Sequence, residues 1–356
     1  MLRANLASSR TMRLGLMGLA AVTAFVIAST GSADARKRKH RSSHHATAQS
    51  SYNPKSASII VDAKSGAVLQ SSNADAPRHP ASLTKVMTLY LLFEQLESGK
   101  LKLDSPLEVS VRASRQSPTK LGLQPGQTIS VENAIKGLVT RSANDAAVVV
   151  AEAIAGDEDD FARMMTRKAR ALGMTRTVYR NASGLPNDDQ ITTARDQATL
   201  GRAIQERFPR YYRYFSTVSF RYRGRNIRNH NHLLGKVEGV DGIKTGYIRA
   251  SGFNIVTSLR RGNRHLVGVV MGGRSAAARD ATMRKLLADN LDKASTRQTV
   301  AAITERPVAE ANAAVAEDAA NNQPSRVVQV AGAVKVAAAT EAEAAPTPRP
   351  RPQIAP

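Results

Sequence analysis

Pro80-Ala81-Ser82-Leu83-Thr84-Lys85-Val86-Met87-Thr88-Leu89-Tyr90-Leu91-Leu92-Phe93-Glu94-Gln95-Leu96-Glu97 reads as a helix from Ser82 to about Glu97 that is apolar on nearly every side. A helix of that kind is buried in the middle of a domain. Its first turn carries Ser82 and Lys85, three residues apart. That spacing sets both side chains on one face, with about 5–6 Å between their Cβ atoms. A serine hydroxyl is a poor nucleophile without a neighbouring base. Lys85 can be that base only as the free amine, and burial plus a second cation nearby would both lower its pKa. The helix N-terminus favours negative charge developing on Ser82. An isolated Ser-x-x-Lys is ordinarily a capping serine and a surface lysine, so the rest of the chain has to decide.

Outward from this helix, Ala57 to Asp62 and Ala67 to Gln70, separated by Lys64-Ser65-Gly66, predict a β-hairpin. Residues 104–131 are punctuated by Ser, Gly and Pro and read as loops and short elements. Val131 to Ala155 and Asp159 to Leu172 read as helical, with Gly137, Gly156 and Gly173 as punctuation. Strand patterns return at Val218 to Arg223, Gly242 to Ile248, Phe253 to Leu259 and Leu266 to Met271, before a final helix over Ala277 to Asp292. One hairpin at the start and several strands at the end flank a helical middle. The expected class is α/β of the α+β type: an antiparallel sheet flanked by helices, with a mostly helical lobe.

The ends read differently. Arg3, Arg10 and Arg13 precede an uncharged apolar stretch from Leu14 to Ala28, and Ala33-Asp34-Ala35 offers a cleavage site. Residues 1–35 are therefore expected to be a cleaved signal peptide, and the protein exported and periplasmic. At about 15 residues the stretch is short for a membrane span. Residues 36–53, with the run Arg36-Lys37-Arg38-Lys39-His40-Arg41, read as a basic flexible leader. The folded domain is expected over residues 54–297, and residues 298–356 as an Ala/Pro-rich, disordered tail.

The formal charge is +22, which favours polyanionic partners. The basic residues are spread over loops, aromatics are 4% of the chain and there is no Trp, so an anionic cell-wall or membrane surface is favoured over nucleic acid. No cysteine is present, which removes disulfides and thiolate chemistry.

Two further motifs follow Ser82-Leu83-Thr84-Lys85 in fixed order: Ser142-Ala143-Asn144 and Lys244-Thr245-Gly246. Lys-Thr-Gly arises by chance in about one chain in twenty of this size, and all three in order make a strong signal. Ser142 is placed to relay a proton toward a leaving amine, and Asn144 to hydrogen-bond a substrate amide. On a regular pleat Lys244 and Gly246 point one way and Thr245 the other. Gly246 lets a substrate backbone approach, and a substrate carboxylate would meet Thr245 and the charge of Lys244. The backbone N–H groups of Ser82 and Tyr247 are candidates for an oxyanion hole. A decoy at Ser117-Pro118-Thr119-Lys120 lies among Pro118, Gly122, Pro125 and Gly126, where no rigid helix holds the pair together. His230 and His232 have no metal-ligand spacing and read as loop histidines; neither a metal nor a cofactor is expected.

These motifs are shared by class A β-lactamases and penicillin-binding proteins. The chain resembles the serine D-alanyl-D-alanine carboxypeptidases, the low-molecular-mass penicillin-binding proteins of the peptidase S11-like family, over about residues 52–295. The resemblance runs through Pro80 to Thr88 and Val240-Asp241-Gly242-Ile243-Lys244-Thr245-Gly246, and through Ser183-Gly184-Leu185, Thr193-Ala194-Arg195-Asp196, Asn231-His232-Leu233-Leu234 and Met271-Gly272-Gly273-Arg274. It implies a penicillin-binding/serine β-lactamase-like fold and an acyl-enzyme on Ser82, formed from peptidoglycan stem peptides or, as covalent inhibitors, from β-lactam antibiotics. Lys85 would be the general base, Ser142 and Lys244 would assist proton transfer, and Arg274 would attract the terminal carboxylate. The Glu-x-x-Leu-Asn signature of class A β-lactamases is absent between Ser142 and Lys244, so a penicilloyl adduct is expected to leave slowly. A DD-endopeptidase cutting cross-links would use the same residues, and a non-catalytic wall-binding protein would not need them all. The tail shows neither the second β-rich domain nor the amphipathic end of one branch of the family.

Overall fold

The computed structural model describes residues 56–307, together with Ala309, Glu310 and Ala313. The expected signal peptide, the basic leader and the tail beyond residue 307 lie outside the described residues, apart from those three positions.

The chain opens with the hairpin β1 (Ala57–Asp62) and β2 (Val68–Ser72). A 3₁₀ turn, Ala81–Leu83, leads into α1 (Thr84–Glu97). Then come β3 (Pro106–Glu108), α2 (Val111–Ser114), β4 (Thr128–Ser130), α3 (Val131–Thr140), α4 (Asn144–Ala155) and α5 (Glu158–Ala171). The second half holds α6 (Ala194–Arg207), α7 (Pro209–Tyr212), β5 (Ser219–Tyr222), β6 (Arg225–Arg228), β7 (Val240–Ile248), β8 (Gly252–Arg261), β9 (Arg264–Gly273) and α8 (Ala276–Leu291).

Five strands form one antiparallel sheet in the order β2-β1-β9-β8-β7, so the first hairpin joins the last three strands. Alternate residues bury on opposite faces, as a pleat with both faces covered requires. Ile59, Val61, Val267 and Val269 join the core shared with α1, α4 and α6. Ile60, Leu266 and Val270 pack with Met283, Leu286 and Leu287 of α8. The expected sheet flanked by helices, with a helical lobe beside it, is what the chain forms.

Three details differ from the sequence reading. The helical stretch 131–155 is two helices, because Ser142 sits in left-handed backbone (φ +59°) between α3 and α4. Gly137 does not punctuate it: it lies inside α3, where a Cβ would fall 2.7 Å from the Leu121 side chain. The strand near residue 220 stays outside the main sheet and pairs with β6 as a separate ribbon. Finally, the folded domain does not stop at residue 297. Thr299 and Val300 donate backbone N–H bonds to Lys64 O, Ile303 to Glu206 Oε2 and Arg306 to Ala171 O. Glu305 accepts from Tyr90 Oη (3.2 Å) and Lys168 Nζ (2.5 Å). Residues 298–307 thus contradict the expected disorder of the tail, because backbone and charged partners hold them along the domain.

Candidate active site

The turn before α1 is wedged from two sides. At Gly184 (φ +84°) a Cβ would lie 1.9 Å from Ala81 O, and at Gly246 one would lie 2.8 Å from Ser82 N. Only glycine permits both approaches, so the loop 183–185 and strand β7 clamp the backbone of Ser82. Asn254 of β8 donates through Nδ2 to the carbonyls of His79 and Pro80, fixing the approach to the turn. Ala81 is itself in left-handed backbone (φ +50°), which costs energy the clamp must offset. Neither the 3₁₀ turn nor α1 has a side-chain N-cap, so this helix end keeps donors unclaimed by side chains.

Lys85 is fully buried one turn on; its Nζ lies 3.1 Å from Ser82 Oγ and donates to Asn144 Oδ1 (2.7 Å) and to the carbonyl of Ser183. Burial is the main cause holding its pKa well below the ordinary lysine value, and the charge of Lys244 pushes the same way. The buried carboxylates of Asp145 and Glu158 oppose this without reversing it. As the free amine, Nζ has two N–H groups, enough for Asn144 Oδ1 and the Ser183 carbonyl, and its lone pair accepts from the Ser82 hydroxyl, a base in place for that proton.

Ser142 Oγ is buried and has no hydrogen-bond partner among the described residues. Asn144 lines the same cleft, with Oδ1 accepting from Lys85 and Nδ2 donating to Ser117 O (2.8 Å). Asn144 thus orients Lys85 and keeps one N–H and one lone pair for the expected bond to a substrate amide. Asp145 beside it accepts from the backbone N–H groups of Leu121, Gly122 and Leu123, pinning the loop that faces the cleft.

From β7, Thr245, Gly246 and Tyr247 line a cleft of about 530 Å³ that also holds Ser82, Ser142 and Asn144. Lys244 is buried, with Nζ donating to Thr245 O (2.9 Å); burial, helped by the charge of Arg279, lowers its pKa to about 7. Tyr247 is more than half exposed and its ring packs on Phe253, 4.3 Å between centroids.

Arg274 is exposed and does not line the cleft. Two arginines line it, the exposed Arg249 and Arg279; the buried guanidinium is that of Arg279, held by Asp280 Oδ1 (2.9 and 2.7 Å) and Asn254 O (3.3 Å). The expectation for Arg274 is corrected accordingly: the turn after β9 carries Arg274 outward, and the first turns of α8 bring Arg279 in. Sequence reasoning missed Arg279, which has no motif of its own. It also passed over the Ser183 carbonyl, although Ser183-Gly184-Leu185 was among the recognisable segments. His230 and His232 are loop residues as expected, yet both border the cleft.

A family model described as D-alanyl-D-alanine carboxypeptidase matches residues 43–275. The D-alanyl-D-alanine carboxypeptidase DacA of Escherichia coli is 37% identical over 236 residues, covering 64% of this chain and 59% of its own length. The chain thus spans about three fifths of that curated relative. Penicillin binding protein 5 of Haemophilus influenzae superimposes with a TM-score of 0.64 at 32% identity, over 66% of this chain and 70% of its own. Penicillin-Binding Protein D2 of Listeria monocytogenes, in a cefotaxime-bound form, gives 0.61 at 29% identity, over 65% of this chain and 95% of its own.

Proposed function

The chain belongs to the D-alanyl-D-alanine carboxypeptidase family, peptidase family S11, and from that premise we propose that it is a serine DD-carboxypeptidase removing the terminal D-alanine of peptidoglycan stem peptides. Its fold is the penicillin-binding, serine β-lactamase-like fold. The observation that carries the reading is the 3.1 Å hydrogen bond between the buried, pKa-depressed Lys85 amine and the Ser82 hydroxyl.

In this mechanism Ser82 Oγ attacks the carbonyl between the two D-alanines while Lys85 Nζ takes the hydroxyl proton. The backbone N–H groups of Ser82 and Tyr247 hold the developing oxyanion; one such donor is worth roughly 2.7–4 kcal/mol. The substrate carboxylate lies against Thr245, under the charges of Lys244 and Arg279. Collapse of the tetrahedral adduct breaks the peptide bond. The departing amine takes its proton through the unpartnered Ser142 hydroxyl. Water, activated by Lys85, then hydrolyses the ester. A β-lactam enters the same cleft, opens on Ser82 and stays, since the chain lacks the Glu-x-x-Leu-Asn signature. We place the protein outside the cytoplasm, in the periplasm, on the strength of Arg3 to Ala28 and Ala33-Asp34-Ala35.

The test is labelling with a fluorescent penicillin and peptide mapping, alongside D-alanine release from a pentapeptide. The expected result is a persistent adduct on Ser82, D-alanine release by the wild type and none by Ser82→Ala. Rapid return to unmodified mass would overturn the slow-deacylation claim. Full activity of Ser82→Ala would overturn the mechanism, and cleavage confined to cross-linked muropeptides would reassign the enzyme as an endopeptidase.

A further inference from the structure

His230 and His232 line two cavities at once: the cleft that holds Ser82, and a neighbouring groove of about 640 Å³. The groove runs between the β5–β6 ribbon and the loop at residues 120–122. Its charged lining is Lys120, Arg141, Arg223, Arg225 and Arg228, with no Asp or Glu. None of these five cations has a carboxylate partner among the described residues; Lys120 donates to Ser114 O and Arg223 to Gln127 Oε1. The groove wall is preformed, because Asp145 pins the loop and Tyr222 packs against the core. The end of the cleft that meets this groove is the end of the departing residue. His230 stands between the two: burial first, then the charges of Lys244 in the cleft and Arg141 in the groove, lower its pKa to about 4. Arg141 directly precedes Ser142, whose hydroxyl serves the departing amine. Thr119 Oγ1, 2.8 Å from Arg141 O and 3.1 Å from Ser142 O, ties the loop to that turn.

Resting on the carboxypeptidase reading above, we propose that this groove is a leaving-side subsite. It takes a carboxylate-bearing side chain on the departing residue, so the enzyme also releases leaving groups longer and more acidic than D-alanine. The polarity of the cleft assigns the groove to this side. With the terminal carboxylate against Thr245 and the scissile carbonyl at the Tyr247 N–H, the residues ahead of the cut run along β7 toward Ile248, away from the histidines. The departing residue lies by Lys244, Arg279 and Ser142. The space that continues from there past His230 and His232 is the groove. The chemistry is unchanged: the bond from Ser82 Oγ to the carbonyl carbon forms, the carbon–nitrogen bond breaks, and the amine takes its proton through Ser142. Water then restores the serine. His230 is neutral at pH 7, so the attraction comes from the lysine and the arginines. The arginines are solvent-exposed, and the attraction weakens with salt.

The experiment measures release of the C-terminal residue by the full chain from three soluble peptides that share one acyl half ending in D-alanine. The departing residue is D-alanine, D-2-aminopimelate, whose side chain ends in a second carboxylate, or the side-chain amide of D-2-aminopimelate. The wild type is expected to release all three and to prefer the aminopimelate over its amide. The Arg225→Gln/Arg228→Gln variant should lose about fivefold of that kcat/KM ratio, as two exposed charge contacts would give, with D-alanine release unchanged. Raising the salt should erode the wild-type ratio in the same direction. Penicillin acylation at the wild-type rate reports that the variant is folded. Three results overturn the proposal while leaving the carboxypeptidase reading intact: release of D-alanine but of neither long residue, equal rates on acid and amide, or a ratio untouched by the substitutions. Failure of the wild type on all three peptides overturns that reading and the groove's role with it. If the substitutions abolish binding to anionic phosphatidylglycerol vesicles but leave the ratio alone, the groove belongs to a surface and the proposal fails.

Discussion

Helices α1 and α5 are both fourteen residues long and begin in opposite ways. Helix α5 supplies its own ends: Asp157 caps it by accepting from Asp160 N–H (2.7 Å), acidic residues fill its first turn, and Lys168 and Arg170 stand in its last. Such a helix is stabilised locally, by caps and by the macrodipole. Helix α1 has no side-chain cap, and its ionisable end residues run against the macrodipole, with Lys85 in the first turn and Glu94 and Glu97 in the last; it starts from a turn strained at Ala81. Eleven of its residues are buried against seven in α5, so packing holds it in place. The contrast shows where the molecule keeps unclaimed donors and an uncharged amine: at a helix end that tertiary structure, not local chemistry, maintains.

The largest expected effect comes from removing the amine that distinguishes the start of α1. Lys85→Met should slow penicillin acylation on the order of a thousandfold, within the range for a general base. It should also flatten the pH profile. In the wild type, lowering the pH protonates Lys85 and acylation falls; without the amine that limb disappears. Acylation rates between about pH 5 and 9 decide it, and a variant within tenfold of wild type breaks the contrast.

A smaller effect separates two glycines with similar backbone. Gly184 (φ +84°) touches the strained turn, whereas Gly173 (φ +83°), just past α5, has open space around it. Gly173→Ala should cost about 1 kcal/mol for the left-handed backbone and leave acylation unchanged. Gly184→Ala should lower the acylation rate by tenfold or more, because the clash displaces Ser82. Melting temperatures and acylation rates measured together test this; parallel losses at both sites would show that the clamp has no functional consequence. The smallest effect belongs to the cap of α5. Asp157→Ala should lower Tm by only a few degrees. Its carboxyl is held below the ordinary 3.8, first by the Asp160 N–H. Its contribution is therefore present above that value and lost as pH falls below it. The Tm difference should vanish in strong acid.

Much of this was legible. The apolar run 86–96 announced a buried helix, and the β-rich segments between residues 242 and 271 announced central strands. The ordered motifs also brought Ser82, Ser142, Asn144 and Thr245 to one cleft. Helix α6 was missed because several of its buried positions are polar: Gln197, Arg202 and Gln205 hide the apolar stripe. A signal was nonetheless present, since Thr193 caps it by accepting from Asp196 N–H (3.0 Å), the spacing of a helix start. Strand β6 is polar and pairs only with β5, so no alternation marks it. Arg279 and the Ser183 carbonyl reach the cleft through long-range packing, and a backbone carbonyl leaves no trace in residue type. The bond from Asn144 to Ser117 O was likewise invisible, because the two residues lie 27 positions apart.

The segment at residues 299–306 has a mechanical meaning. Within it Arg306 is fastened to the last residue of α5, and Glu305 to Lys168 and to Tyr90 on α1. Traction on the chain beyond residue 307 would first be felt by those fastenings. Tyr90 sits more than two helical turns beyond Ser82, so a pull from that side meets the waist of α1 before it reaches the turn that carries Ser82.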